Sequence, residues 1–79
     1  MVTGSQVRMA RAALRMGVRD LASAANVSPN TVTRVEADGS TNSSTLAAIR
    51  RALEEAGVQF IPENGGGPGV RLRDRVAGG

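Results

Sequence analysis

Cysteine, histidine and lysine are all absent from this 79-residue chain, and Phe60 is its single aromatic residue. Each absence excludes something. Without cysteine there is no disulfide and no thiolate metal site. Without histidine the commonest metal ligand and the commonest general base are missing as well. No pair of carboxylates converges to replace them, so neither an enzyme nor a cofactor site is expected. One phenylalanine offers no platform for stacking successive bases, which excludes the usual mode of single-strand nucleic-acid binding. The core has to be built from Ala, Val, Leu, Ile and Met.

What the chain does have is arginine. All ten of its basic residues are Arg, and the net charge is +3. Guanidinium forks suit phosphates and guanine edges, although arginine in place of lysine is also what a GC-rich genome produces. A charge of this size permits nucleic-acid binding without demanding it. Residues 1–20 are interrupted by Arg8, Arg11, Arg15 and Arg19 and contain no apolar signal core. No apolar run approaches the length of a membrane span. The expectation is a soluble, cytoplasmic, nucleoid-associated protein of one small domain. At this length stability is marginal, and self-association is the simplest addition to it.

The pattern up to Gly57 is helical. In "SQVRMARAALRM", Ser5 is a candidate N-cap, Val7, Ala10 and Leu14 fall on one face, and Gly17 suits a left-handed cap. Val18 to Ala25 follows, with Leu21, Ala22 and Ala25 on one face and a weak start, because Gly17 has no side-chain oxygen. Ser28 caps a third helix with Pro29 in its first position, where the missing N–H costs nothing. Val32 and Val35 form its inner face and Gly39 its end. A fourth helix runs from about Ser44 to Ala56, with Leu46, Ile49 and Leu53 inward and Gly57 as its cap. The fold class expected is therefore mainly α: four helices over residues 1–57, then a short C-terminal β-hairpin or pair of strands over 58–73, then a flexible tail over 74–79.

Between the second and third helices lies "AANVS". A steep turn needs one residue at positive φ, and asparagine is among the best after glycine. Asn26 stands where that residue is needed, Val27 can plug the angle, and Ala22 is small enough for close approach. This is a helix-turn-helix pattern. The ordered set Ala22, Asn26, Val27, Ser28, Val32, Glu36 and Gly39, followed by Thr45-Leu46 and Ile49, resembles the XRE family of Cro- and phage-repressor-like DNA-binding domains, over about residues 5–57. The chain departs from the family pattern in two ways. Asn26 replaces the usual glycine. Gly17 and Val18 stand where the family commonly has Ser or Thr followed by a DNA-contacting Gln, so that contact is in doubt.

The resemblance implies that the third helix enters the major groove of duplex DNA. Asn30 and Arg34 are then the base readers, for adenine and guanine respectively, with Thr33 beside them. Thr31 either meets a phosphate or supports the helix start. Ser28 is foremost a cap, with a phosphate contact as its second role. Arg19 can reach a phosphate or stand free in solvent. The polar loop containing Thr41 and Asn42 either offers donors to phosphates or caps the fourth helix. The resemblance also implies a structural ion pair between Arg11 and Glu36, tying the first helix to the third.

"VQFI" and "VRLR" read as strands, with Val58 and Phe60 on one side and Val70 and Leu72 on another. The loop "PENGGGPG" lacks the Lys-Ser/Thr ending and the strand-to-helix setting of a phosphate-binding loop. An isolated hairpin is barely stable. Either two copies pair their strands, with Val58, Phe60, Val70 and Leu72 in a dimer interface, or the hairpin folds back on its own helices. The function expected is a DNA-binding transcription regulator, a homodimeric repressor on a two-fold operator, with RNA polymerase as a further partner if it activates. The alternative is a protein-interaction module, such as an antitoxin whose C-terminal segment binds a toxin.

Overall fold

The computed structural model describes residues 2–62 and 65–73, and over them the chain forms four helices followed by a two-stranded antiparallel hairpin. The helices are α1 (Gly4–Ala13), α2 (Val18–Ala25), α3 (Pro29–Glu36) and α4 (Ser43–Ala56). The strands are β1 (Val58–Ile61) and β2 (Gly69–Leu72). The tail expected over 74–79, including Arg75, lies outside the described residues.

The apolar positions picked out by helical spacing do meet. Val7, Leu21, Val32, Ile49 and Leu53 are completely buried, with Ala10, Ala22, Ala25, Val35 and Ala52 filling the space between them. Several of the residues at the contacts are alanine, so the helix backbones pack closely.

The ends of the helices differ from the sequence reading at several points. The N-cap of α1 is Thr3, not Ser5. Its hydroxyl accepts from the Gln6 N–H at 3.2 Å, and the Gln6 side-chain oxygen accepts from the Thr3 N–H at 2.9 Å. Two of the free amides at the helix start are thereby satisfied reciprocally. Gly17 does not end α1. That conformation belongs to Arg15, at φ 56°, while Gly17 caps the start of α2 at φ −77°. Likewise the left-handed residue after α3 is Asp38, at φ 60°, one place before Gly39.

The first three helices end in the same way. Met16 donates to the Arg11 carbonyl, Val27 to Ala22 and Gly39 to Arg34, each bond reaching back five residues around a left-handed residue. This is the Schellman geometry, and here a non-glycine residue occupies its strained position three times. Only α4 uses glycine, Gly57 at φ 119°. A left-handed L-residue costs roughly 1–2 kcal/mol, part of which a glycine returns as unfolded-chain entropy. Arg15 is exposed and makes no side-chain hydrogen bond among the described residues. Arg15→Gly is therefore expected to stabilise the domain by about 0.5–1 kcal/mol, read as a rise of several degrees in thermal midpoint. No change, or a fall, would show that the Arg15 side chain is held by something else.

The hairpin belongs to the same core as the helices. Val58 is 1 % exposed, and Phe60 and Val70 pack against the helical cluster. The register pairs Val58 with Leu72 and Phe60 with Val70. Directly opposed residues share a face, so all four project to one side of the hairpin, not to two. Gln6, buried on α1, clamps the far end of the hairpin. Its amide nitrogen donates to the carbonyls of Ile61, at 3.2 Å, and Gly69, at 2.9 Å. Within one chain the hairpin thus folds back on its own helices. Within the single chain Val58 is enclosed by the core that α4 shares with β1. Phe60 and Val70 are largely committed in the same way, whereas Leu72 is 53 % exposed.

Candidate nucleic-acid interface

The surface built by α2, the turn and α3 begins with Asn26. It takes φ 59° and ψ 46°, the left-handed conformation the turn requires. Val27 packs into the angle between the helices. Ser28 then starts α3: its hydroxyl accepts from the Thr31 N–H at 3.2 Å. Val32, Val35 and Glu36 face inward and are buried, which fixes the opposite face outward.

That outward face carries Asn30, Thr33 and Arg34. They stand three and four positions apart and so lie side by side, and all three are exposed. Their side chains are not equivalent. Among the described residues Asn30 and Arg34 take part in no side-chain hydrogen bond or ion pair, so their donors and acceptors are free. The Thr33 hydroxyl is turned back along the helix and donates to the Pro29 carbonyl at 3.2 Å. Thr31 is half-buried, and its hydroxyl lies 2.9 Å from that of Ser28. Ser28 and Thr31 therefore shape the start of α3, while Asn30 and Arg34 are left free.

Gly39 has a second part that its reading as a helix stop did not reveal. A Cβ at this position would lie 2.6 Å from Cγ of Arg34 and 3.1 Å from its carbonyl oxygen. The arginine stem runs across the space where that carbon would be. Gly39 therefore gives Arg34 its path, through a contact five residues along the chain that no propensity scale registers.

The remaining expected contacts surround this face. Arg19 is exposed in the first turn of α2. Next to it, a carboxylate oxygen of Asp20 accepts from the Gly17 N–H at 3.0 Å. A negative charge thus sits on the positive end of α2, at the place where the resemblance put a phosphate contact in doubt. Thr41 and Asn42 lie in the exposed loop before α4, and Asn42 caps that helix. Its side-chain oxygen accepts from the Thr45 N–H at 2.8 Å and from the Ser44 hydroxyl at 2.9 Å.

Behind this surface the structure brings Arg11 and Glu36 together. Arg11 Nε lies 2.7 Å from Glu36 Oε2 and Nη2 lies 3.2 Å from Oε1, a fork on a carboxylate. The hydrogen bond to Glu36 raises the Arg11 pKa above the ordinary arginine value, partial burial works against it, and the carboxylate charge adds to the rise. The third nitrogen, Nη1, donates to the Met16 carbonyl at 3.2 Å. One guanidinium therefore ties α3 to the loop that leads into α2. Arg8 adds a bond from its guanidinium to the main-chain carbonyl of Glu36.

A separate groove of about 300 Å³ lies where the N-terminal segment, α4 and the hairpin meet, lined by Val2, Thr3, Gln6, Arg50, Phe60, Pro62 and Pro68. None of its lining residues belongs to α3. No protein-family model matches the chain, and no curated protein does. Among the described residues, no helix is long and apolar enough to cross a membrane.

Proposed function

We propose that the chain is a sequence-specific duplex-DNA-binding transcription regulator of the XRE type. The observation that carries this reading is the exposed face of Asn30, Thr33 and Arg34 on a helix whose opposite face is buried. An α-helix held this way fits the major groove, and Asn and Arg are the side chains suited to the edges of adenine and guanine. Thr31 and Ser28 hold the helix start, and Arg19, Thr41 and Asn42 flank it as phosphate contacts.

The working unit in this reading is a homodimer on a two-fold operator. The hairpin packs on α1 and α4, while α3 packs on α1 and α2. A second copy joined through the hairpin therefore leaves both α3 helices uncovered, for half-sites about 34 Å apart or a multiple of that. Leu72, exposed at the end of β2, is the apolar side chain available to the partner. In this reading the simplest mechanism is repression by occluding a promoter on cytoplasmic, nucleoid DNA.

Two measurements test this. The first is enrichment of duplexes from a random pool, followed by affinity against salt for those enriched. Arg19 and Arg34 are the only arginines in α2 and α3, and Asp20 opposes them. The logarithmic slope should therefore be shallow, about −2 per protomer. Failure to enrich any duplex would sink the reading. The second is sedimentation at low micromolar concentration, where a dimer that Leu72→Asp converts to monomer is expected. A monomeric wild type that contacts only a single half-site would remove the dimer from the proposal.

A further inference from the structure

We infer that Thr33 reads the 5-methyl group of a thymine, and so makes this protein discriminate thymine from uracil at one position of each half-site. The inference rests on the DNA-binding reading of α3 and extends it to a particular functional group.

Threonine has two chemically different ends, and they recognise different things. A hydroxyl can donate to or accept from a base edge or a phosphate, whereas the methyl can only make apolar contact, for which the thymine methyl is the one partner in the major groove. In this chain the hydroxyl of Thr33 is already engaged. It donates to the Pro29 carbonyl, one turn earlier on the same helix. This back-bond is a common resting place for threonine within a helix. That bond uses the hydroxyl's only proton and turns its oxygen toward the helix backbone, so what this exposed side chain offers outward is its methyl.

Its neighbours make the position useful. Asn30 is three residues before Thr33 and Arg34 immediately follows it. Both have free polar ends, so polar readout on this face belongs to them. A thymine contacted by Thr33 would lie next to the purines they read. Threonine divides between two χ1 rotamers in a helix, and the bond to the Pro29 carbonyl holds Thr33 in one of them, which keeps the methyl in place. A flexible side chain at this position would lose more entropy on contact.

The test separates this inference from the reading beneath it. Duplexes are first enriched from a random pool by the wild-type protein. Each thymine of the enriched sequence is then replaced, one at a time, by uracil, which removes a single methyl and changes no hydrogen bond. One thymine per half-site is expected to be sensitive, with affinity falling about fourfold when its methyl is removed. Thr33→Val keeps the methyl and loses the hydroxyl, and should keep the sensitivity. Thr33→Ser keeps the hydroxyl and loses the methyl, and should bind thymine and uracil duplexes equally.

The inference is overturned if no uracil substitution matters. It is also overturned if Thr33→Val loses the discrimination that Thr33→Ser retains, which would assign the contact to the hydroxyl. If no duplex is enriched at all, the failure is that of the DNA-binding reading, and this one falls with it. The uracil series uses unaltered protein, so misfolding of a variant cannot produce the result.

Discussion

Gly4→Ala is expected to destabilise the domain by about 3 kcal/mol, although the same change in an exposed helix normally stabilises. Two effects oppose each other. Alanine is the better helix former, by up to about 1 kcal/mol in a helix interior and less in the first turn. Against this, the added carbon would lie 2.5 Å from the Val35 carbonyl oxygen, 2.7 Å from that of Glu36 and 2.8 Å from a carboxylate oxygen of Asp38. The first two atoms are backbone in the last turn of α3 and cannot swing away. The third accepts the Gly4 N–H at 2.9 Å, so moving it breaks a bond. Overpacking of this kind costs about 1–3 kcal/mol or more, and three contacts at once place this site at the upper end. A domain of this size has of order 5 kcal/mol to lose. Chemical denaturation should show the midpoint falling steeply for Gly4→Ala and hardly moving for Gly66→Ala, since a carbon at Gly66 meets nothing within 4 Å. Equal, small effects at both sites would mean that α1 and α3 are not in this close contact.

The second large effect is expected from removing one half of the Arg11–Glu36 pair. The Glu36 side chain is only 10 % exposed. Arg11→Leu would leave that carboxylate enclosed without its cation, at a cost of about 2–3 kcal/mol. The upper range for fully buried pairs is higher, but the Arg11 side chain is 25 % exposed, so water relieves part of it. Glu36→Leu should cost less, because the freed guanidinium can turn toward solvent. The double variant should recover much of the loss, since an enclosed ion pair and an apolar pair of similar size are often close in free energy. A double-mutant cycle measures the coupling directly. Additive losses, with coupling below about 0.5 kcal/mol, would show that the pair orders α1 against α3 but contributes nothing to holding them.

Much of this architecture was legible because its signals are local. Ser28 and Pro29 mark a helix start within two residues, and Asn26 marks the turn by its own tolerance of positive φ. The inward faces follow from periodicity alone, which is why Val7, Leu21, Val32, Ile49 and Leu53 were identifiable before any coordinates. The Arg11–Glu36 pair was reached through the family resemblance, not through spacing. What escaped depends on residues distant in the chain or on conformations their identity disfavours. Nothing in an arginine announces a left-handed residue, so local sequence points to Gly17 and not Arg15, and to Gly39 and not Asp38. Nothing local in the sequence marks Gly4. Its small size matters only because α3, more than thirty residues later, presses against it. Nothing local marks Gln6 either. Its burial makes sense only once the carbonyls of Ile61 and Gly69 are seen to need donors. The hairpin was readable as strands, but an alternating pattern does not say which body its apolar face will meet.

In the proposed function, α3 reads base sequence through side chains that the fold leaves unengaged. The most direct test is the affinity of wild-type protein, Asn30→Ala and Arg34→Ala for one enriched duplex and for an unrelated duplex of equal length. Each substitution should weaken binding to the enriched duplex by about 1–3 kcal/mol. Asn30→Ala should leave the unrelated duplex nearly unaffected, and Arg34→Ala should weaken it only slightly through its lost charge. The ratio between the two duplexes would therefore fall by about 5- to 160-fold in each variant. If that ratio stays at its wild-type value in both variants, α3 is not the reading helix, and the account of this surface is wrong.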